Sequence, residues 1–380
     1  MTNSFPNEQL TAFIQQEIVN HHGYLSFARF MELALYTPTL GYYMRERSPF
    51  GKSGDFITAP DISPLFAQCV ANQCQPILEA LDGGEIVELG AGSGHFANVL
   101  LLQLEKLDCL PNRYLIIEIS PALRLHQQAL FKKECPHLLP LIEWLPALPS
   151  NRMKGIIFAN EVIDALPVHC FQVESDCIYE RCVTWKHHQF EWCLRPPTSS
   201  ILLEKTRQIA HDYDLPIGYK SEIRLTVSSW IKSLADALQQ GLILLMDYGY
   251  GRPEYYRPDR SLGTLMCFHQ HRQHDNPFLH VGTQDMTAHV DFTSVAETAL
   301  ANQLQLQGYT TQAAFLLNLG LLTLASHSSL SEVQRYQDNQ AIKKLTLPSQ
   351  MGEIIKAMAL SKDLDLPLLG FSAYDRRQNL

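Results

Sequence analysis

The sequence predicts an α/β protein built on a doubly wound, mostly parallel sheet. An N-terminal helical and loop cap, a β-rich insertion and a helical C-terminus are expected around it. Three observations point there. Residues 85–89, 114–119, 155–159 and 242–246 read as short strands, and the runs Tyr114-Leu-Ile-Ile, Gly155-Ile-Ile-Phe and 242–246 are apolar on both faces, as a buried parallel sheet requires. Stretches with helical periodicity alternate with them. A glycine-rich turn, Gly90-Ala91-Gly92-Ser93-Gly94, joins the first of these strands to the first of these helices.

Taken in order, residues 8–36 read as two helices. Leu10, Phe13, Ile14 and Ile18 form one apolar stripe, and Phe27, Phe30, Met31, Ala34 and Leu35 form another, with Ser26 as N-cap of the second. Residues 37–64 are rich in Gly, Pro, Ser and Tyr and read as a long loop, the kind that serves as a lid or binding loop. Then come strand 85–89, helix 94–107, strand 114–119, a helix opening at Ser120-Pro121, a strand at 141–145 and strand 155–159. Residues 168–173, 177–185 and 189–194 are β-rich and read as an antiparallel insertion. After Asp247 a polar, His-rich loop runs to about Ala288, and a helix with capping-box spacing starts at Ser294. The last 60 residues look helical, broken by Pro348 and Pro367. The expected organisation is a cap at 1–80, a core at 81–167 and 220–320 with an acceptor-side loop at 249–290, the insertion at 168–219, and C-terminal helices at 321–380.

Composition narrows the function. Of 380 residues, 46% are hydrophobic and 18% charged, which suits a packed globular chain rather than a disordered one. The formal net charge of -9 disfavours nucleic acid as a partner. Nine cysteines with no C-x-x-C pair suggest reduced thiols. The first basic residue is Arg29, so neither a secretory nor a mitochondrial leader is expected, and the apolar stretch 315–325 is too short to span a bilayer. The expectation is a cytoplasmic protein without membrane insertion. His269, His271, His274, His280 and His289 fit no common zinc spacing, so no metal is expected.

The chemistry centres on residues 85–94. Glycines let a backbone approach a ligand closely, and a helix N-terminus offers N–H groups to it. Glu118 ends the next strand, 24 residues after Gly94, where it can accept both hydroxyls of an adenosine ribose. A dinucleotide fingerprint wants G-x-G-x-x-G. Here the third glycine comes one place early and His95 stands in its position. Glu88 puts a carboxylate at the strand tip, which repels a pyrophosphate but suits the ammonium and sulfonium of S-adenosylmethionine. Asn160 ends strand 155–159 and is placed to bind the cofactor or orient the acceptor. Glu161 and Asp164 share a face if the following turn is helical, and two carboxylates there can hold a guanidinium and take its proton. Asp55 and Asp61 belong to a loop placed to fold over the same mouth. A nicotinamide oxidoreductase and a non-catalytic assembly factor that keeps the cofactor fold remain as alternatives.

Further motifs make the resemblance specific. They are Tyr36-Thr-Pro-Thr-Leu-Gly-Tyr-Tyr, Gly54-Asp-Phe-Ile-Thr-Ala-Pro-Asp-Ile-Ser-Pro-Leu-Phe, Glu88-Leu-Gly-Ala-Gly-Ser-Gly, Asn160-Glu-Val-Ile-Asp-Ala-Leu-Pro, Asp247-Tyr-Gly-Tyr, Gly263-Thr-Leu and Gly282-Thr-Gln-Asp-Met-Thr-Ala-His-Val-Asp-Phe-Thr. In order and texture the chain resembles the MidA-like family of methyltransferases, whose mitochondrial relatives assist respiratory complex I assembly and are associated with protein arginine methylation. Asp61 stands where that family often has Glu. The resemblance implies a class I methyltransferase fold, S-adenosylmethionine as donor and a protein acceptor, with arginine as a candidate. Cofactor contacts are expected from Glu88, Gly90, Ala91, Gly92, Gly94, Glu118, Ile119, Asn160 and Asp61, and acceptor chemistry from Glu161 and Asp164. A homodimer remains open as an assembly.

Overall fold

In the computed structural model, residues 7–45, 58–175, 177–326 and 331–380 are described. Asp55 lies outside them. The chain forms two compact units: residues 1–56, 163–228 and 251–291 make one, and residues 57–162, 229–250 and 292–380 make the other.

The second unit contains the expected doubly wound sheet. Its strand order is Gln305–Thr311, Ile355–Lys362, Leu238–Tyr250, Met153–Asn160, Glu85–Leu89, Arg113–Ile117, Ile142–Leu145. The pairings from Leu238–Tyr250 to Ile142–Leu145 are all parallel, while Ile355–Lys362 runs antiparallel to both of its neighbours. Four of the five residues of Glu85–Leu89 are buried, because helices cover both faces of a parallel sheet. The helices Pro64–Ala80 and His95–Lys106 supply Phe66, Val70, Phe96 and Leu100 to its core. Strand order reverses beside Glu85–Leu89, whose neighbours are Arg113–Ile117 and Met153–Asn160. Doubly wound sheets bind ligands at the carboxyl ends of the strands at such a reversal.

The register makes that end concrete. Leu89 pairs with Ile117 on one side and with Ala159 on the other. The three residues that follow, Gly90, Glu118 and Asn160, therefore stand level with one another at the strand ends.

Two sequence expectations change here. The C-terminal residues are not all helical: Ile355–Lys362 is a fully interior strand, buried at seven of its eight positions. Its Ala, Met, Leu and Lys residues favour helices locally, and the pairing partners on both sides override that preference. Residues 161–167 do not form a helical turn either. Glu161 has φ 51, in the left-handed region. Its N–H bonds to the Met246 carbonyl at 2.8 Å, so the chain leaves the strand through an irregular tip. Glu161 and Asp164 share no helix face, and they belong to different units.

The first unit is mainly antiparallel, in line with the β-rich insertion. Leu25–Ser26, Ile178–Lys186, His169–Val173 and Lys220–Ile223 pair in that order, and Gln189–Arg195 also pairs with Ile178–Lys186. The helices Glu8–Asn20 and Phe27–Tyr36 pack Leu10, Ile14, Ile18, Phe27, Phe30, Met31, Ala34 and Leu35 into a core with Val168, Val183, Phe190 and Met286, while Phe13, expected on the first stripe, is exposed. Ser26 caps the second helix, accepting from the Arg29 N–H at 3.2 Å. Among the described residues no helix is long and apolar enough to cross a membrane.

Candidate active site

The glycine turn has the conformation that its sequence requires. Gly90, Gly92 and Gly94 have φ 65, 53 and 80, a region in which L side chains are strained. Gly94 is the N-cap of His95–Lys106, and its N–H bonds back to the Ala91 carbonyl at 2.8 Å. A Cβ at Gly94 would lie 3.1 Å from Gln127 Cγ.

Three carboxylates surround this turn. Glu118 is 5% exposed; Oε1 accepts from the Ser120 N–H at 2.8 Å and Oε2 from Gln127 Nε2 at 3.3 Å. Burial raises its pKa despite those bonds. Asp61, in the short helix Ala59–Ile62, accepts the Ser93 hydroxyl on Oδ1 at 2.8 Å and the Thr58 hydroxyl on Oδ2 at 3.0 Å. Glu88 is buried and accepts the Tyr114 hydroxyl at 2.8 Å. Burial pushes Glu88 up to about 8, the Tyr114 bond opposing this and Glu118 adding to it. From the sequence Glu88 is expected to carry a standing negative charge. Burial favours its neutral form instead, and a cation beside it favours the ionised one.

Asn160 and Glu161 form the other wall. Asn160 Nδ2 donates to Glu161 Oε1 at 3.1 Å, and the Ala59 N–H approaches the same oxygen at 3.4 Å. Asn160 Oδ1 is buried and, among the described residues, has no hydrogen-bond partner. The next residue, Val162, donates its N–H to Asp247 Oδ2 at 3.2 Å. Ile119, after Glu118, exposes 47% of its surface.

In this unit the structure thus gathers Glu88, Gly90, Ala91, Gly92, Gly94, Glu118, Asn160, Glu161 and Asp61 along the strand ends and the segments tied to them. A description of a family model, "Putative S-adenosyl-L-methionine-dependent methyltransferase", matches residues 69–310. The chain belongs to that family. This methyltransferase also resembles the crystal structure of a Burkholderia thailandensis protein bound to S-adenosyl-homocysteine, at a TM-score of 0.94 and 34% identity over 98% of this chain and 97% of that one. Among curated proteins, it is 28% identical to the mitochondrial protein arginine methyltransferase NDUFAF7 homolog of Drosophila melanogaster, over 92% of this chain and 86% of that one. It is 29% identical to the mitochondrial protein arginine methyltransferase NDUFAF7 of Homo sapiens, over 89% and 80%. The fold is that of a class I methyltransferase, and the donor of its family is S-adenosylmethionine.

Asp164 stands in the other unit of the methyltransferase. Burial pushes its carboxyl up to about 6, against the pull of Arg224. Arg224 donates to four main-chain carbonyls, those of Asp164, Leu166, Ala288 and His289, at 2.9–3.2 Å. The motif after Asn160 and the motif around Ala288 are therefore held together by one guanidinium. Tyr36 donates to the Ala165 carbonyl at 3.0 Å and stacks on Tyr43, with ring centroids 5.6 Å apart, and Tyr43 donates to Asp285 at 2.7 Å. In the His-rich loop, His269 and His280 stack with centroids 4.1 Å apart, and the His269 ring bonds the Thr283 carbonyl. Among the described residues no group of three or more His, Cys, Asp or Glu is arranged to hold a metal.

Sequence reasoning missed Gln127 and Tyr114. The signal for Gln127 was present: it stands between Leu123 and Phe131 on the buried stripe of the helix Pro121–Glu134, a polar residue where periodicity demands an apolar one.

Proposed function

We propose that this methyltransferase modifies arginine side chains of a protein, with the cofactor held by Glu88, Gly90, Ala91, Gly92, Gly94, Glu118, Ile119, Asn160 and Asp61. The main support for the site is the buried Asn160 Oδ1, an acceptor without a partner among the described residues at the strand end. Leaving such a group unsatisfied costs ~1–3 kcal/mol unless a ligand brings a donor. The ammonium of an amino-acid moiety brings three. Glu118, a buried acceptor at the level of the next strand's end, suits the two hydroxyls of a ribose. Exposed Ile119 offers an apolar surface to a base.

Bound there, S-adenosylmethionine supplies an electrophilic methyl group. On the acceptor side, Glu161 is the proposed carboxylate, while Asp164, the other candidate, belongs to the other unit. A guanidinium has to lose a proton when one of its nitrogens is alkylated, and a carboxylate beside it is suited to accept that proton. The arginine acceptor is supported by the names of the curated relatives, which are protein arginine methyltransferases. A reducing compartment such as the cytoplasm belongs to the same proposal, and the nine cysteines are free thiols.

The test is to incubate the purified chain with S-adenosylmethionine carrying an isotopically labelled methyl group and a protein extract, then to map label by mass spectrometry. Label on arginine that depends on the chain supports the reading. Label confined to other side chains or to small molecules overturns the acceptor.

A further inference from the structure

Gln127 is fully buried and spends its whole carboxamide on three elements of the cofactor site. Its Nε2 donates to the Gly92 carbonyl at 2.9 Å and to Glu118 Oε2 at 3.3 Å. Its Oε1 accepts the indole N–H of Trp144, on the strand Ile142–Leu145, at 2.9 Å. The orientation of the amide is not ambiguous, because an indole only donates and a main-chain carbonyl only accepts.

Two consequences follow for a ligand. A planar trans peptide points its C=O and its N–H in opposite directions, so fixing the Gly92 carbonyl on Gln127 aims the Ser93 N–H away from it. The Glu118 carboxylate is likewise held from both sides, by Ser120 on one oxygen and by Gln127 on the other. A carboxylate has about four lone-pair sites, so being held in this way orients it without exhausting it.

We infer that Gln127 is a positioning residue for the cofactor: it locks the glycine turn and the Glu118 carboxylate into one geometry, and through them selects a nucleoside that carries vicinal ribose hydroxyls. The inference rests on the assignment of Glu118 to the ribose under the proposed function. Gln127 itself touches no reacting atom. Its effect must therefore pass through Glu118, which separates it from a residue that merely fills the core.

The experiment is calorimetry of the full chain with S-adenosylhomocysteine and with its 2′-deoxy analogue, for Gln127→Met, Glu118→Ala and the double variant. Methionine keeps the length and removes the hydrogen bonds. Gln127→Met is expected to weaken S-adenosylhomocysteine about tenfold, the scale of hydrogen bonds that orient a charged group. The loss should shrink to about twofold or less in the Glu118→Ala background and for the 2′-deoxy analogue. An equal loss in both backgrounds, or none in either, overturns the inference while leaving Glu118 in its place. Unchanged affinity in Glu118→Ala alone overturns the ribose assignment and this inference with it. Should Gln127→Met fail to fold, Trp144→Phe removes the donor that orients the amide. It is then expected to cost about threefold in the wild-type background and nothing beside Glu118→Ala; the same loss in both overturns the inference.

Discussion

The hydroxyl of Ser93 donates to Asp61 Oδ1 at 2.8 Å. This bond ties the middle of the glycine turn to the short helix that precedes Pro64–Ala80, where Ser63 caps the longer helix by accepting from the Leu65 N–H. One wall of the proposed cofactor site is therefore fixed by a side-chain pair rather than by the sheet. Ser93→Ala and Asp61→Ala should each weaken S-adenosylhomocysteine by ~1 kcal/mol. Because both remove the same bond, the double variant should lose much less than the sum of the two. Strict additivity in calorimetry would show that the bond does not shape the site.

The glycines separate binding from folding. Gly94 has φ 80 and a Cβ there would meet Gln127 Cγ at 3.1 Å, so Gly94→Ala should cost ~1–2 kcal/mol of stability, read as a lower melting temperature. Gly92 has φ 53, and Gly92→Val places a β-branched side chain at the close approach of ligand and backbone. The folded variant should show no S-adenosylhomocysteine binding. Near wild-type affinity would move the cofactor away from this turn.

Glu88 gives the account a pH dependence. Its carboxyl is raised from 4.5 to about 8, chiefly by burial. For stability the sign is fixed by linkage: the fold holds a proton that the unfolded chain releases. This contribution is complete below the usual carboxylate range and is lost as pH rises to about 8. Binding of a cation has the opposite sign, since it favours the ionised form. Affinity for S-adenosylhomocysteine should rise by as much as tenfold per pH unit up to about 8, then level off. Glu88→Gln should flatten both curves. A wild-type affinity that is flat from pH 6 to pH 9 contradicts the placement of the ammonium near Glu88.

Glu161 is the test on the acceptor side. Its Oε1 accepts from Asn160 Nδ2 and the Ala59 N–H, bonds that the carbonyl oxygen of glutamine can also accept. Glu161→Gln should therefore leave cofactor affinity within about threefold and reduce turnover on the identified acceptor by ~10²-fold. If turnover persists and cofactor affinity collapses, Glu161 is a cofactor ligand and the acceptor carboxylate is another group.

Much of this was legible in the sequence. The strands at 85–89, 114–119 and 155–159 and the turn between Leu89 and His95 could be read because both-face apolar runs, glycines and a helix start occur within a few residues of one another. Ile355–Lys362 was not legible: nothing local separates its Ala-Met-Ala-Leu core from a helix, and only pairing with Leu238–Tyr250 and Gln305–Thr311 decides it. The shared face of Glu161 and Asp164 hung on a helical turn that spacing alone cannot establish, because spacing does not reveal a left-handed φ in a non-glycine residue. Glu88 could be found, but not its raised pKa, since that comes from burial against the opposing bond from Tyr114. Gln127 was overlooked although its position on a buried stripe marked it.

The most direct test of the central claim is calorimetry of the purified chain with S-adenosylhomocysteine and with NAD, in the wild type and in Glu118→Ala. Saturable one-to-one binding of S-adenosylhomocysteine, a loss of ~2 kcal/mol in Glu118→Ala and no comparable binding of NAD are expected. Tighter binding of NAD, or equal affinity of wild type and Glu118→Ala for S-adenosylhomocysteine, would contradict a methyl-donor site built on Gly90–Gly94 and Glu118.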